Sequence, residues 1–154
     1  MKKFEILEHK ADLKIRAFGK TKEEAFLNML KGMSSALRAK IKNQKSKTEL
    51  PSEEAKVKRR TKSSSTVKNI KIKSLDLGAL LVDFLSEVLY QTQVNKEIYN
   101  KIEFKKFSDT ELEAEIFGPK VERFGEDIKA VTYHNLDIHQ KKDGTWEATV
   151  LFDI

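Results

Sequence analysis

The last ten residues, Thr145-Trp146-Glu147-Ala148-Thr149-Val150-Leu151-Phe152-Asp153-Ile154, constrain this chain more than any other stretch. Trp146, Ala148, Val150, Phe152 and Ile154 recur at period two, so they share one face of a β-strand, and that face is buried. Asp143-Gly144 just before them is a hairpin signal, which pairs the strand with residues 136–141. Chains generally trail off in a few loose residues, whereas this sequence stops inside its own strand pattern. The Asp153 carboxylate then lies beside the main-chain carboxylate of Ile154. Two adjacent oxygen anions on a rigid element call for a cation or a basic partner.

A length of 154 residues fits one domain with a two-layer core. No apolar run approaches a membrane span, and Met1-Lys2-Lys3-Phe4-Glu5 lacks the apolar core of a signal peptide. The absence of cysteine excludes disulfides and thiolate chemistry. The expectation is a cytoplasmic protein with no membrane partner. The net charge of +6 is unevenly placed: residues 40–73 hold 12 Lys/Arg against Glu49, Glu53 and Glu54, a local balance of +9. The remainder is therefore at −3, a mildly acidic globular protein carrying one basic segment.

Taken in order, residues 2–7 and 13–18 alternate as two strands, joined by Glu8-His9-Lys10-Ala11-Asp12 and ended by Gly19. Thr21-Lys22-Glu23-Glu24 is a capping box opening a helix whose stripe is Phe26, Met29, Leu30, Met33 and Leu37. From about 40 to 65 the apolar period vanishes, around Pro51 and Ser63-Ser64-Ser65, which reads as a mobile loop or long hairpin tip. Val67, Ile70 and Ile72 predict a returning strand. Asp76 or Ser74 caps a second helix with Leu77, Leu80, Leu81, Phe84, Leu85, Val88 and Leu89 as its core, ending near Gln93. Strands follow at 102–107 and 112–117, the latter broken by Gly118-Pro119. Residues 128–134 fit either a short helix or a strand. The predicted class is α+β: a mostly antiparallel sheet with two main helices packed on it. It forms a single domain over 1–154 with a basic insertion at about 40–66.

Five segments together resemble the archease family, small activator proteins of the RtcB-type RNA ligase that joins tRNA halves. They are Leu7-Glu8-His9-Lys10-Ala11-Asp12; Gly19-Lys20-Thr21-Lys22-Glu23-Glu24-Ala25-Phe26; Leu80-Leu81-Val82-Asp83-Phe84-Leu85-Ser86-Glu87-Val88-Leu89-Tyr90; Ile128-Lys129-Ala130-Val131-Thr132-Tyr133-His134; and Val150-Leu151-Phe152-Asp153-Ile154. The likeness runs from end to end except for the basic segment. Lys10 stands where the family usually has Thr, and Phe84 where it often has Trp. The resemblance implies an archease-like α+β fold, no catalytic chemistry of its own, and a role in tRNA splicing. The family helps the ligase guanylylate its own histidine and turn over repeatedly. It also implies a divalent-cation site at Asp12, Asp153 and the Ile154 carboxylate, and a functional Lys129. Calcium, with six to eight oxygens, is the expected ion, and magnesium is open by the same chemistry.

Each residue also has a plainer reading. Asp12 alone is a turn-capping aspartate. Lys129 among Ile128, Ala130 and Val131 is a lysine snorkelling to solvent, or else a contact to ligase or nucleotide phosphate. His9, His134 and His139 lack zinc-ligand spacing. His9 reads as a hydrogen-bonder beside Asp12, and His134 as lying near the cation site or the ligase contact. Lys56, Lys58, Arg59, Arg60 and Lys62 are either a solvated loop or contacts to tRNA phosphates. With no aromatic residue between Lys40 and Lys73, base stacking is not expected. Three functions compete with the ligase activator. They are a chaperone-like modulator of a tRNA methyltransferase, a small metal-dependent hydrolase, and a plain RNA-binding module.

Overall fold

The computed structural model describes residues 2–8, 12–38, 65–125 and 127–154. Seven strands and two helices run in the order β1 (Phe4–Glu8), β2 (Asp12–Gly19), α1 (Lys22–Leu37), β3 (Ser65–Lys73), α2 (Leu77–Asn95), β4 (Lys101–Phe107), β5 (Glu111–Pro119), β6 (Ala130–Gln140) and β7 (Trp146–Asp153). They make two antiparallel sheets rather than one: β1-β2-β7-β6 and β3-β5-β4. The α+β class stands, with two helices and mostly antiparallel strands. The predicted face of the last ten residues is buried, fully at Ala148, Val150 and Phe152 and partly at Trp146 and Ile154, but Thr149 and Leu151 on the other face are buried too, since β7 is an interior strand between β2 and β6.

The local signals act as physical chemistry requires. Thr21 Oγ1 accepts from Glu24 N–H at 3.1 Å, leaving one fewer orphan donor at the start of α1. Glu24 reaches back to the Lys20 N–H at 2.5 Å, one residue before the position a regular capping box would use. Of the two cap candidates for α2, Asp76 serves, accepting from Ala79 N–H at 2.8 Å. The helix runs to Asn95, two residues past expectation, and stops where Lys96 turns left-handed (φ 59°). Both helices face the shared core: α1 packs on β1, β2, β4 and β7, and α2 on β3 and β6. Phe26 of α1 meets Phe84 of α2 and, edge-on, Phe107 of β4 (centroids 5.8 and 5.0 Å).

Two expectations are revised, and one left open is decided. Asp12 is the first residue of β2, not part of the preceding connection. Strand β5 does not break at Gly118-Pro119 but runs through both, paired there with Ser65 and Thr66 of β3. A glycine is needed because residues 97–100 cross close against it, with Ile98 N–H donating to Pro119 C=O and Asn100 N–H to Phe117 C=O (3.0 Å each). Residues 128–134 resolve as strand from Ala130 onward. The basic segment called an insertion lies mostly outside the described residues, and its end at Ser65 and Thr66 belongs to β3.

The solvent face of the smaller sheet is a charge ladder. Glu111, Glu113 and Glu115 on central β5 are matched by Lys106, Lys71 and Lys105 from its neighbours (3.3, 3.7 and 3.8 Å). Such exposed pairs contribute little stability each, about 0–1 kcal/mol. They do keep that face close to neutral.

Candidate functional site

Register brings the predicted carboxylates together. In the β2–β7 ladder Asp12 lies directly opposite Asp153, and on the other side of β7 Asp153 lies opposite Ala130. Cross-strand partners share a face, with Cβ atoms about 4.5–5.5 Å apart. On β2 that face is turned away from Leu13, Ile15 and Ala17, which point into the core, and on β7 it opens to solvent at Asp153, though Leu151 and Thr149 farther along are buried. Asp12 is half-buried and Asp153 exposed. Among the described residues neither carboxylate has an ion-pair partner or a side-chain hydrogen bond. Like charges directly opposite destabilise a sheet by some tenths of a kcal/mol. The donor set therefore fits a hard cation: oxygen only, anionic, and not neutralised by described protein groups. Ile154 follows with its side chain half-buried against the core. Among the described residues no three His, Asp or Glu side chains converge as a metal centre.

Lys129 reaches this end of the sheet through its backbone, its N–H donating to Asp153 C=O at 2.7 Å, while its side chain is exposed. His134 lies exposed in an irregular stretch of β6 between Thr132 and Asp137, where Asn135 is left-handed (φ 55°). His134 makes no described side-chain contact with either aspartate. His139 pairs with Asp137 (2.7 Å), opposite Glu147, towards the other end of the sheet. His9, Lys56, Lys58, Arg59, Arg60 and Lys62 lie outside the described residues.

Sequence reasoning missed how helix α2 braces this site. Gln93 Nε2 donates to Ile128 C=O at 3.1 Å, and ten residues earlier Asp83 accepts from the Tyr133 hydroxyl. Ten helical residues rise about 15 Å, and the five strand steps from 128 to 133 span about 16 Å. The helix thus holds both ends of the segment that carries Lys129. Asp83 also accepts from Ser74 Oγ at 2.6 Å, so Ser74 anchors the brace instead of capping α2. The available signal was an aspartate set among Leu81, Val82, Phe84 and Leu85, where only a partnered acid is stable.

The hydrogen bond to Asp83, aided by some burial, pushes Tyr133 ionisation above the usual tyrosine value of 10.0. Folding thus favours the protonated hydroxyl. The tie stabilises the fold at all pH values below the unfolded value and is lost as pH rises through the higher folded one. Thermal melts should therefore show the wild type losing more stability above about pH 10 than Tyr133→Phe does. Parallel curves for the two proteins would remove the brace's contribution.

At the other end of β2 and β7 lies a recess of about 320 Å³ lined by Lys20, Thr21, Lys22, Glu23, Phe107, Ser108, Asp109 and Trp146. Its principal charge is internally satisfied, since Lys22 pairs with Asp109 at 2.5 Å and sits over the Trp146 ring at 5.4 Å.

No helix among the described residues is long and apolar enough to cross a membrane. Residues 4–154 match the model of the Archease protein family (MTH1598/TM1083). The protein archease of Methanosarcina barkeri is 33% identical, the alignment covering 99% of this chain and 97% of that one. That of Pyrococcus abyssi is 31% identical over the whole of both. Among solved structures, protein 1598 of Methanobacterium thermoautotrophicum superposes with a TM-score of 0.70 at 24% identity, covering 100% of each chain. An archease of Thermotoga maritima, described as a possible chaperone, superposes with 0.59 at 18% identity, covering 96% of this chain and 94% of its own. With the family's model matched from the first strand to the last residue and the same two-sheet fold beneath it, this chain belongs to the archease family.

Proposed function

We propose that this protein is a non-catalytic activator of an RtcB-type RNA ligase in tRNA splicing and RNA repair, promoting ligase guanylylation and repeated turnover. The observation that carries the reading is the in-register pairing of Asp12 with Asp153, with Lys129 hydrogen-bonded at the same strand end. This arrangement supports a divalent-cation site made of the two aspartates and the Ile154 carboxylate, with carbonyls and water completing a calcium shell or, with more water retained, a magnesium one. When bound, the ion supplies positive charge that can organise triphosphate oxygens at the ligase's cleft. The chain's own part is positional: β2 and β7 fix the carboxylates, and α2 fixes the segment presenting Lys129. His134, exposed on the same strand, is a second contact residue in this reading, and His9 a third. tRNA is met through the ligase or through Lys56, Lys58, Arg59, Arg60 and Lys62.

The test is ligase self-guanylylation at limiting GTP, with and without this protein. Acceleration by at least about tenfold is expected, equivalent to about 1.4 kcal/mol of barrier. No effect on the cognate ligase would sink the reading. The chaperone-like modulator of a tRNA methyltransferase would then come next, a role favoured by the description of the Thermotoga maritima structure as a possible chaperone. That partner would be bound and kept soluble regardless of GTP. A small metal-dependent hydrolase ranks below both, because two aspartates on one strand pair supply no separate general acid and base.

A further inference from the structure

Many lysines of this fold are paired with acids or stand singly in solvent. On the smaller sheet Lys71, Lys105 and Lys106 are each met by a glutamate. Lys3, Lys31 and Lys101 are different. They come from three separate places, ahead of β1, on α1 and at the start of β4, and tertiary packing brings them together. Phe4, next to Lys3, lies against Gly32, where an added Cβ would meet its ring at 3.2 Å. Ser34 Oγ donates to Tyr99 C=O at 2.6 Å and so draws the start of β4 onto the same turn of α1. Among the described residues none of the three lysines is paired with a carboxylate. Burial, and then the charge and close approach of Lys3 and the charge of Lys101, hold the Lys31 ammonium below the usual lysine range.

A group of unpaired ammonium groups drawn together by packing is suited to binding an anion. Its surroundings indicate which anion. Arg38 lies seven residues after Lys31, hence on the same face of α1 and about 10 Å farther along. It is exposed, with no described acidic partner. Two residues after Arg38 begins the stretch holding 12 Lys/Arg against three acids. The cationic surface among the described residues therefore leads from Lys101 and Lys3 through Lys31 to Arg38, in a chain whose most basic stretch follows Arg38 in sequence.

We infer that Lys3, Lys31 and Lys101 form a phosphate-binding site that engages the RNA backbone, with Arg38 extending it along the same face of α1. Recognition there is electrostatic and indifferent to base sequence, because neither the cluster nor residues 40–73 offers an exposed aromatic platform. This site is separate from the Asp12–Asp153 end and does not depend on the ligase reading.

The experiment uses the full chain and a labelled single-stranded RNA of mixed sequence, followed by fluorescence anisotropy from about 50 to 200 mM salt. The variant replaces Lys3, Lys31 and Lys101 by Gln, and the control replaces Lys73, Lys96 and Lys142, which are exposed and carry no described acidic partner. The cluster variant should bind about tenfold more weakly at low salt, and its salt slope should fall by about 2, as expected when three phosphate contacts are lost from a single strand. Arginine at the same three positions should keep both. Lys31→Gln alone should leave the melting temperature unchanged or slightly higher, since it relieves repulsion, and this separates lost binding from lost fold.

An unchanged affinity and slope overturn the assignment, as does an equal loss in the control. If the variant loses inorganic phosphate but not RNA, the cluster is a free-anion site and the RNA assignment falls. If it loses only a protein partner, the cluster recognises an acidic protein surface, and the assignment falls equally.

Discussion

Alanine at Asp12 should remove calcium-dependent stabilisation and ligase activation together, while leaving the calcium-free protein at least as stable as wild type. The directly opposed Asp153 explains the second half of this result. With no described counter-charge the pair is repulsive, so removing one member relieves about 0.2–1 kcal/mol, against the loss of little else from an outward-facing position. The first half follows from linkage. An ion bound only by the folded state, at about 100 times its dissociation constant, adds about 2.7 kcal/mol. For a domain of this size that is about 5–10 °C in melting temperature. Wild type should show this rise on adding calcium, and Asp12→Ala, Asp153→Ala and a chain lacking Ile154 should not. In the guanylylation assay the same three variants should fall to the rate of ligase alone. A variant that loses the calcium shift yet activates fully would detach the cation from the function. One that keeps both would remove Asp12 from the site.

Gly118→Ala should be among the most damaging single-atom additions in the molecule, costing about 3 kcal/mol or more. A Cβ at Gly118 would sit 1.8 Å from Ile98 O, 2.6 Å from Ile98 C and 2.7 Å from Tyr99 Cα. All three are backbone atoms, so no side-chain rotation relieves the clash. The crossing segment would have to lift, losing the hydrogen bonds of Ile98 and Asn100 to β5. It would also disturb the Tyr99 hydroxyl, which donates to the buried Glu97. Gly118 has no positive φ. If space were not limiting, alanine there would therefore stabilise by about 0.4–1 kcal/mol through the unfolded chain. The two expectations differ in sign. Urea unfolding decides between them, and a midpoint at or above wild type would show that residues 97–100 do not pack as described.

Local chemistry was legible where the cause is local. Thr21 and Glu24 at the start of α1, Asp76 at the start of α2, the apolar stripes of both helices and the Asp143-Gly144 hairpin each act within a few residues, and each was readable. The segment 128–134 was ambiguous for a physical reason. Ile128 and Val131 fit helical spacing, while Val131 and Tyr133 fit alternation. What decides is the distant Asp153 carbonyl, which takes the Lys129 N–H and draws the chain into the sheet. Gly118-Pro119 read as a strand break because the usual role of that pair is local. Here Gly118 makes room for another part of the chain, which no short window shows.

The sequence by itself determined both helices and most strands, their amphipathic faces, the buried side of β7 and the uneven charge, since these depend on propensity, period and composition. It also held the carboxylates of the cation-site candidate, because a family resemblance can be read residue by residue. Tertiary structure decided the division into two sheets, the register that sets Asp12 against Asp153, the grip of Asp83 and Gln93 on the strand beside them, and the meeting of Lys3, Lys31 and Lys101. Each of these joins residues far apart in the chain. Which such residues meet is fixed by how a whole core packs, a global minimum that no local pattern encodes.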